Sequence, residues 1–124
     1  MRLALMLLPA LASCAPAAVP VVSSLTDEGS WEVSVDEATW PAGEVTLRLA
    51  VRGADGEPGV GLDVLLIAGM DEMAHAPESA WCAEEDAGVY ACPVRFTMPG
   101  LWNVEGTVSG GEDAEAFHLV VAVE

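Results

Sequence analysis

The sequence predicts an all-β protein, an antiparallel β-sandwich of six or seven strands. Three observations carry this expectation. Apolar residues recur every second position in several separate stretches, the period of a half-buried strand. Clusters of glycine, proline, serine and aspartate divide those stretches with turn chemistry. No segment carries a convincing helical period, and 124 residues leave room for one domain.

The chain opens with Arg2, an apolar run from Leu3 to Leu11, and small residues up to Cys14. That run is too short to cross a bilayer, and Pro9 argues against a buried helix, so residues 1–13 read as an export signal. Leu11-Ala12-Ser13-Cys14 resembles the bacterial lipobox, against the simpler alternative of ordinary signal-peptidase cleavage near Ala12. The lipobox resemblance implies that Cys14 becomes the first mature residue and carries a diacylglyceryl group, with palmitate-type acyl chains as membrane anchor. Several chains, at about 0.8 kcal/mol per buried methylene, hold a protein on a bilayer where one chain does so only weakly. Ala15, in place of an aspartate after the cysteine, points by the same resemblance to the outer membrane, facing the periplasm.

Residues 14–30 read as the lipidated cysteine and a flexible tether, with Pro16, Pro20, Ser23, Ser24 and Asp27-Glu28 and no sustained period. The sandwich is expected over 31–124. Trp31 to Val35 alternates, and Glu44 to Arg52 does so more clearly, with Val45, Leu47, Leu49 and Val51 on one face. After turn residues from Gly53 to Gly59, the apolar run Leu62 to Ala68 suits a central strand. Gly88 to Thr97 places Tyr90, Cys92, Val94 and Phe96 together, and Met98-Pro99-Gly100 turns the chain into Leu101 to Val108. The last strand directs Phe117, Leu119, Val121 and Val123 inward, and a short seventh strand is expected near Ser79 to Ala83.

All 20 acidic residues lie beyond Cys14, against Arg48, Arg52 and Arg95 and no lysine, so the mature part is more acidic than the −16 of the whole chain. Nucleic acid is excluded as a partner, because phosphate binding needs cations that displace counterions. Anionic headgroups would be repelled, so the expected membrane contact is the covalent anchor at Cys14 alone. Such a charge most simply marks a solvated surface. No stretch has the spacing of a calcium-binding EF-hand loop.

Cys82 and Cys92 are the remaining cysteines. In an exported protein two cysteines pair more often than they stay free, so a disulfide is expected; two thiolate metal ligands are the alternative. Asp86-Ala-Gly-Val-Tyr-Ala-Cys92 resembles the D-x-G-x-Y-x-C corner of immunoglobulin variable domains. The partner cysteine lies ten residues upstream rather than in an early strand, so the antibody family is rejected and Tyr90 is read as a structural brace in an immunoglobulin-like sandwich.

A buried strand ending in Gly-Met, a loop with Met70, Met73 and His75, then Gly88-x-Tyr90, then Phe96-Thr-Met-Pro-Gly-x-Trp102 together resemble the YtkA-like domain, related to FixH-like proteins, over about Trp31 to Val123. The resemblance implies an extracytoplasmic immunoglobulin-like module tied to copper handling or oxidase assembly, with a copper ion as ligand and a protein of either process as partner. The residues allow that chemistry. Thioether sulfur is soft, neutral and favours Cu(I), and imidazole serves either oxidation state. Met70, Met73 and His75 are the expected ligands, Met98 a conditional fourth, and Trp81 a shield. Asp71 and Glu72 depart from the soft-donor pattern. The bland alternative makes the methionines core filler and His75 a loop residue. His118, beside inward-facing Phe117 and Leu119, is expected to be structural or at the surface.

No nucleophile elbow, zinc-protease motif or phosphate loop is present, so an enzyme is not expected, and Glu84-Glu85 reads as solvated charge in a turn. The competing function is a structural or protein-binding immunoglobulin-like lipoprotein of the envelope, without metal.

Overall fold

The structure, a computed structural model, describes residues 20–70, 77–111 and 113–124; Cys14 and the signal and lipobox residues lie outside them. Among the described residues there is no helix, and the strands form two five-stranded sheets that face each other as a sandwich. The first sheet holds β1 (Ser23–Leu25), β2 (Trp31–Val35), β4 (Gly43–Gly53), β7 (Ala83–Asp86) and β8 (Val89–Phe96), in the spatial order β1-β2-β4-β8-β7. The second holds β3 (Thr39–Trp40), β5 (Asp63–Gly69), β6 (Glu78–Trp81), β9 (Gly100–Ser109) and β10 (Ala114–Val123), ordered β3-β10-β9-β5-β6. Neighbours run antiparallel except β3, which lies parallel to the end of β10.

Period-two alternation builds the core. Leu47, Leu49 and Val51 of β4 and Tyr90, Cys92, Val94 and Phe96 of β8 point from the first sheet. Trp102, Val104 and Val108 of β9 and Phe117, Leu119, Val121 and Val123 of β10 meet them from the second. Full burial stabilises each large aliphatic side chain by about 1.5–3 kcal/mol. Phe96 and Trp102 pack edge to face, ring centroids 5.1 Å apart. At Gly106 a Cβ would run into the Leu65 carbonyl and the Phe117 ring, so a bare backbone is needed for that close approach.

The structure departs from the expected tether. Residues 21–27 close one side of the sandwich: β1 pairs with β2, while Val21 exchanges both backbone hydrogen bonds with Val120 and the Asp27 N–H donates to the Ala116 carbonyl. This segment thus occupies the free edges of both sheets, which would otherwise present unpaired N–H and C=O groups. The opposite side is closed by a strand that changes sheets. β6 pairs with β5, the Cys82 N–H donates to the Val64 carbonyl at 2.9 Å, and Ala83 already pairs with Ala91 of β8. The short strand expected at Ser79 to Ala83 is therefore two strands divided at Cys82, and Glu84-Glu85 lie on β7 rather than in a turn.

One acid takes an inward position. Glu115 continues the inward phase of β10, is buried, and accepts hydrogen bonds from the Thr26 hydroxyl at 2.6 Å and the Ser30 N–H at 3.3 Å. Bonds from Ser30 and Thr26 hold its carboxyl below the ordinary carboxylate range. Because the folded value is depressed, its stabilising contribution is present above the unfolded pKa and is lost as pH falls through the folded one. Glu115→Gln is therefore expected to lower the urea midpoint at neutral pH, with the gap from wild type closing on acidification through the carboxylate range. A gap independent of pH would show that the charge contributes nothing.

Candidate functional site

Two of the expected donors, Met70 and Met98, lie among the described residues, Met70 just past the end of β5 and Met98 just before the start of β9. Register places Gly69 opposite Asn103, so Met70, the next residue, lies toward the start of β9, which follows the turn 97–99. The contact is close: a Cβ on Gly100 would fall 2.5 Å from Met70 Cε and 4.0 Å from its sulfur. Gly100 has φ 135°, which side-chain-bearing residues rarely adopt. Glycine is thus needed there twice, for backbone conformation and for the space the methionine fills. Met70 packs partly buried against the core.

Trp102 fixes the same turn from beneath. Its ring is buried against Phe96, and its indole N–H donates to the Met98 carbonyl at 2.9 Å. The Met98 side chain is 45 % exposed. Met70 lies against Gly100, two residues beyond Met98. Met73 and His75 lie outside the described residues. Among the described residues no three histidine, cysteine, aspartate or glutamate side chains gather as a harder metal would require. The chemistry that Met70 and Met98 offer is that of soft, neutral thioethers from two adjoining loops.

Trp81 does not belong to this site. It pairs with Leu65 on β6, five residues along the strand from Met70, which at about 3.4 Å per residue places it roughly 17 Å away. Its proximity in sequence to the methionine loop is undone by the return of the chain along β5. His118 faces outward on β10, its Nε2 2.8 Å from Asn103 Oδ1 and 4.0 Å from Glu105, a surface polar residue.

The sulfurs of Cys82 and Cys92 lie at disulfide distance, with Cα atoms 4.3 Å apart, so neither offers a thiolate to a metal. Cys92 is buried on β8, and Cys82 sits where the chain crosses between sheets.

Tyr90 is buried and braces the connection between β4 and β5. Its hydroxyl donates to the Gly59 carbonyl at 2.7 Å and accepts from the Leu62 N–H at 3.0 Å. Burial pushes the phenol above its ordinary range. Beside it, the Glu84 carboxylate takes the Gly61 N–H at 2.9 Å and the Gly88 N–H at 3.1 Å, tying the same connection to the β7–β8 turn. Gly88, at φ 76°, has no room for a side chain against Pro58 and the Val51 carbonyl. Glu85 pairs with Arg48 through two hydrogen bonds of 2.7 and 3.2 Å, which lower its pKa. The acid pair thus divides into a backbone clamp and an ion pair, roles that adjacent acids in a sequence do not reveal.

Compared with known protein families, with curated proteins and with solved structures, the chain matches none.

Proposed function

We propose that this chain is a lipid-anchored copper-binding or copper-delivery module of the cell envelope, similar to YtkA-like domains, held at the outer membrane through Cys14 and facing the periplasm. The observation that carries this reading is the Met70 thioether lying on Gly100 of the Met98-Pro99-Gly100 turn, which joins two soft-donor segments at one end of the sandwich. Met73 and His75 follow Met70 within five residues, and in this reading they complete the donor set. Copper is cargo in this reading, and the thioethers favour its reduced state. The acidic surface attracts cations from solution, and a bonded cysteine pair accords with an oxidising compartment. The strand order supports an immunoglobulin-like frame: β2, β4, β8 and β7 follow the A-B-E-D order of that fold, and β5, β9 and β10 its C-F-G order.

The test is titration of Cu(I) into the protein against a competing chelator. Met70→Ala combined with Met73→Ala is expected to weaken affinity by about tenfold or more, since even outer partners of ligands cost about 10–100-fold. Met98→Ala is expected to have a smaller effect in the same direction. Unchanged affinity in the double variant, with the fold intact, would sink the proposal. It would leave the metal-free alternative, an immunoglobulin-like lipoprotein that binds an envelope protein.

A further inference from the structure

The outward faces of the two sheets differ in kind. On the first sheet the outward positions include Glu44, Arg48, Arg52 and Arg95, the ordinary charged dressing of a solvated sheet. On the second, register places Trp81 beside Leu65, with Ile67 two positions further along β5. Trp81 is 68 % exposed, and Leu65 and Ile67 are only half-buried. All three mature arginines lie on the first sheet, and the strands of the second hold no lysine or arginine. The outward acids of the second sheet are Asp63 and Glu105, which follow the same alternation as Leu65 and Thr107. Next to this apolar strip lies a depression of about 470 Å³, where Leu25, Ile67 and Ala116 meet Glu105 and His118.

We infer that this face docks a segment of a partner protein that combines apolar with cationic side chains. An exposed tryptophan next to aliphatic neighbours is the composition of an interface anchor, not of a solvated strand. The acids at its margin, with no lysine or arginine on the same sheet, set the sign of the partner's charge. That sign excludes other occupants. A second copy would bring a like acidic face against this one, and anionic lipid and nucleic acid would be repelled. Trp81 lies remote from Met70, so the inference does not depend on copper.

The probe is a synthetic peptide alternating leucine and arginine, with its leucine–glutamate counterpart as control, titrated into the ¹⁵N-labelled protein without copper. Shifted amides are expected to cluster on β5, β6, β9 and β10. Trp81→Ala is expected to weaken binding by about tenfold, the loss typical of an interface anchor. Asp63→Asn with Glu105→Gln is expected to weaken it and flatten its salt dependence, with melting temperatures unchanged. Three results would overturn the inference: shifts scattered over both sheets, as diffuse attraction to an acidic protein would give; equal binding of the glutamate peptide; or wild-type affinity in Trp81→Ala. Self-association of the protein through β5 and β6 without peptide would assign the face to a second copy, and would also overturn it.

Discussion

Replacing Cys82 and Cys92 together by serine is expected to lower stability by about 3 kcal/mol, the chain-entropy value for a loop of this length. At about 4–8 °C per kcal/mol for a domain of this size, the melting temperature should fall by roughly 12–24 °C. Position adds to the effect. The bond ties buried Cys92 of β8 to the one residue where the chain passes from β6 in one sheet to β7 in the other. β7 is four exposed residues long, with little apolar burial of its own to hold it against β8. Without the bond, β7 and the Glu84 clamp on Gly61 and Gly88 should loosen first, seen as faster amide exchange at both glycines. Calorimetry of the variant, and of the wild type under reductant, checks this. The two melting temperatures should coincide, and a double serine variant as stable as wild type would show that the staple contributes nothing.

The strands most legible in the sequence are those with one buried face. Glu44 to Arg52 and Phe117 to Val123 alternate because each borders the core on one side, and their inward residues are those that the period of two selects. Residues 21–27 escaped the pattern because they lie along sheet edges, where pairing is by backbone and Leu25 points to solvent. Its serines, following Pro16 and Pro20, resemble a tether in composition, and the bond that fixes the segment, Thr26 to Glu115, joins residues 89 apart. The same non-locality governs the candidate site. That Met70 meets Gly100 depends on the β5–β9 register, which a linear reading does not supply. Trp81 erred in the opposite direction, because nearness in sequence to Met73 and His75 hid the reversal between β5 and β6.

Tyr90→Phe is expected to cost about 2–6 kcal/mol, although it removes one oxygen and leaves the ring in place. The hydroxyl serves two backbone groups, the Gly59 carbonyl and the Leu62 N–H, and the loss of a buried group's partner costs about 1–3 kcal/mol each. Hydrogen exchange at Leu62 should rise more than at Leu47 or Leu49, which report the core directly. The wild type also makes a test in alkali that the variant cannot. Burial raises the folded pKa of the phenol above its ordinary 10.0, so the stabilisation is complete below the unfolded pKa and is lost as pH rises through the folded one. Tyr90 is the only tyrosine in the chain, so phenolate absorbance reports this group alone. Absorbance should lag a free phenol above pH 10.0 and then rise together with unfolding, while the stability gap between wild type and Tyr90→Phe narrows over the same range. Free-phenol titration in the folded protein would mean that the hydroxyl is open to water and braces nothing.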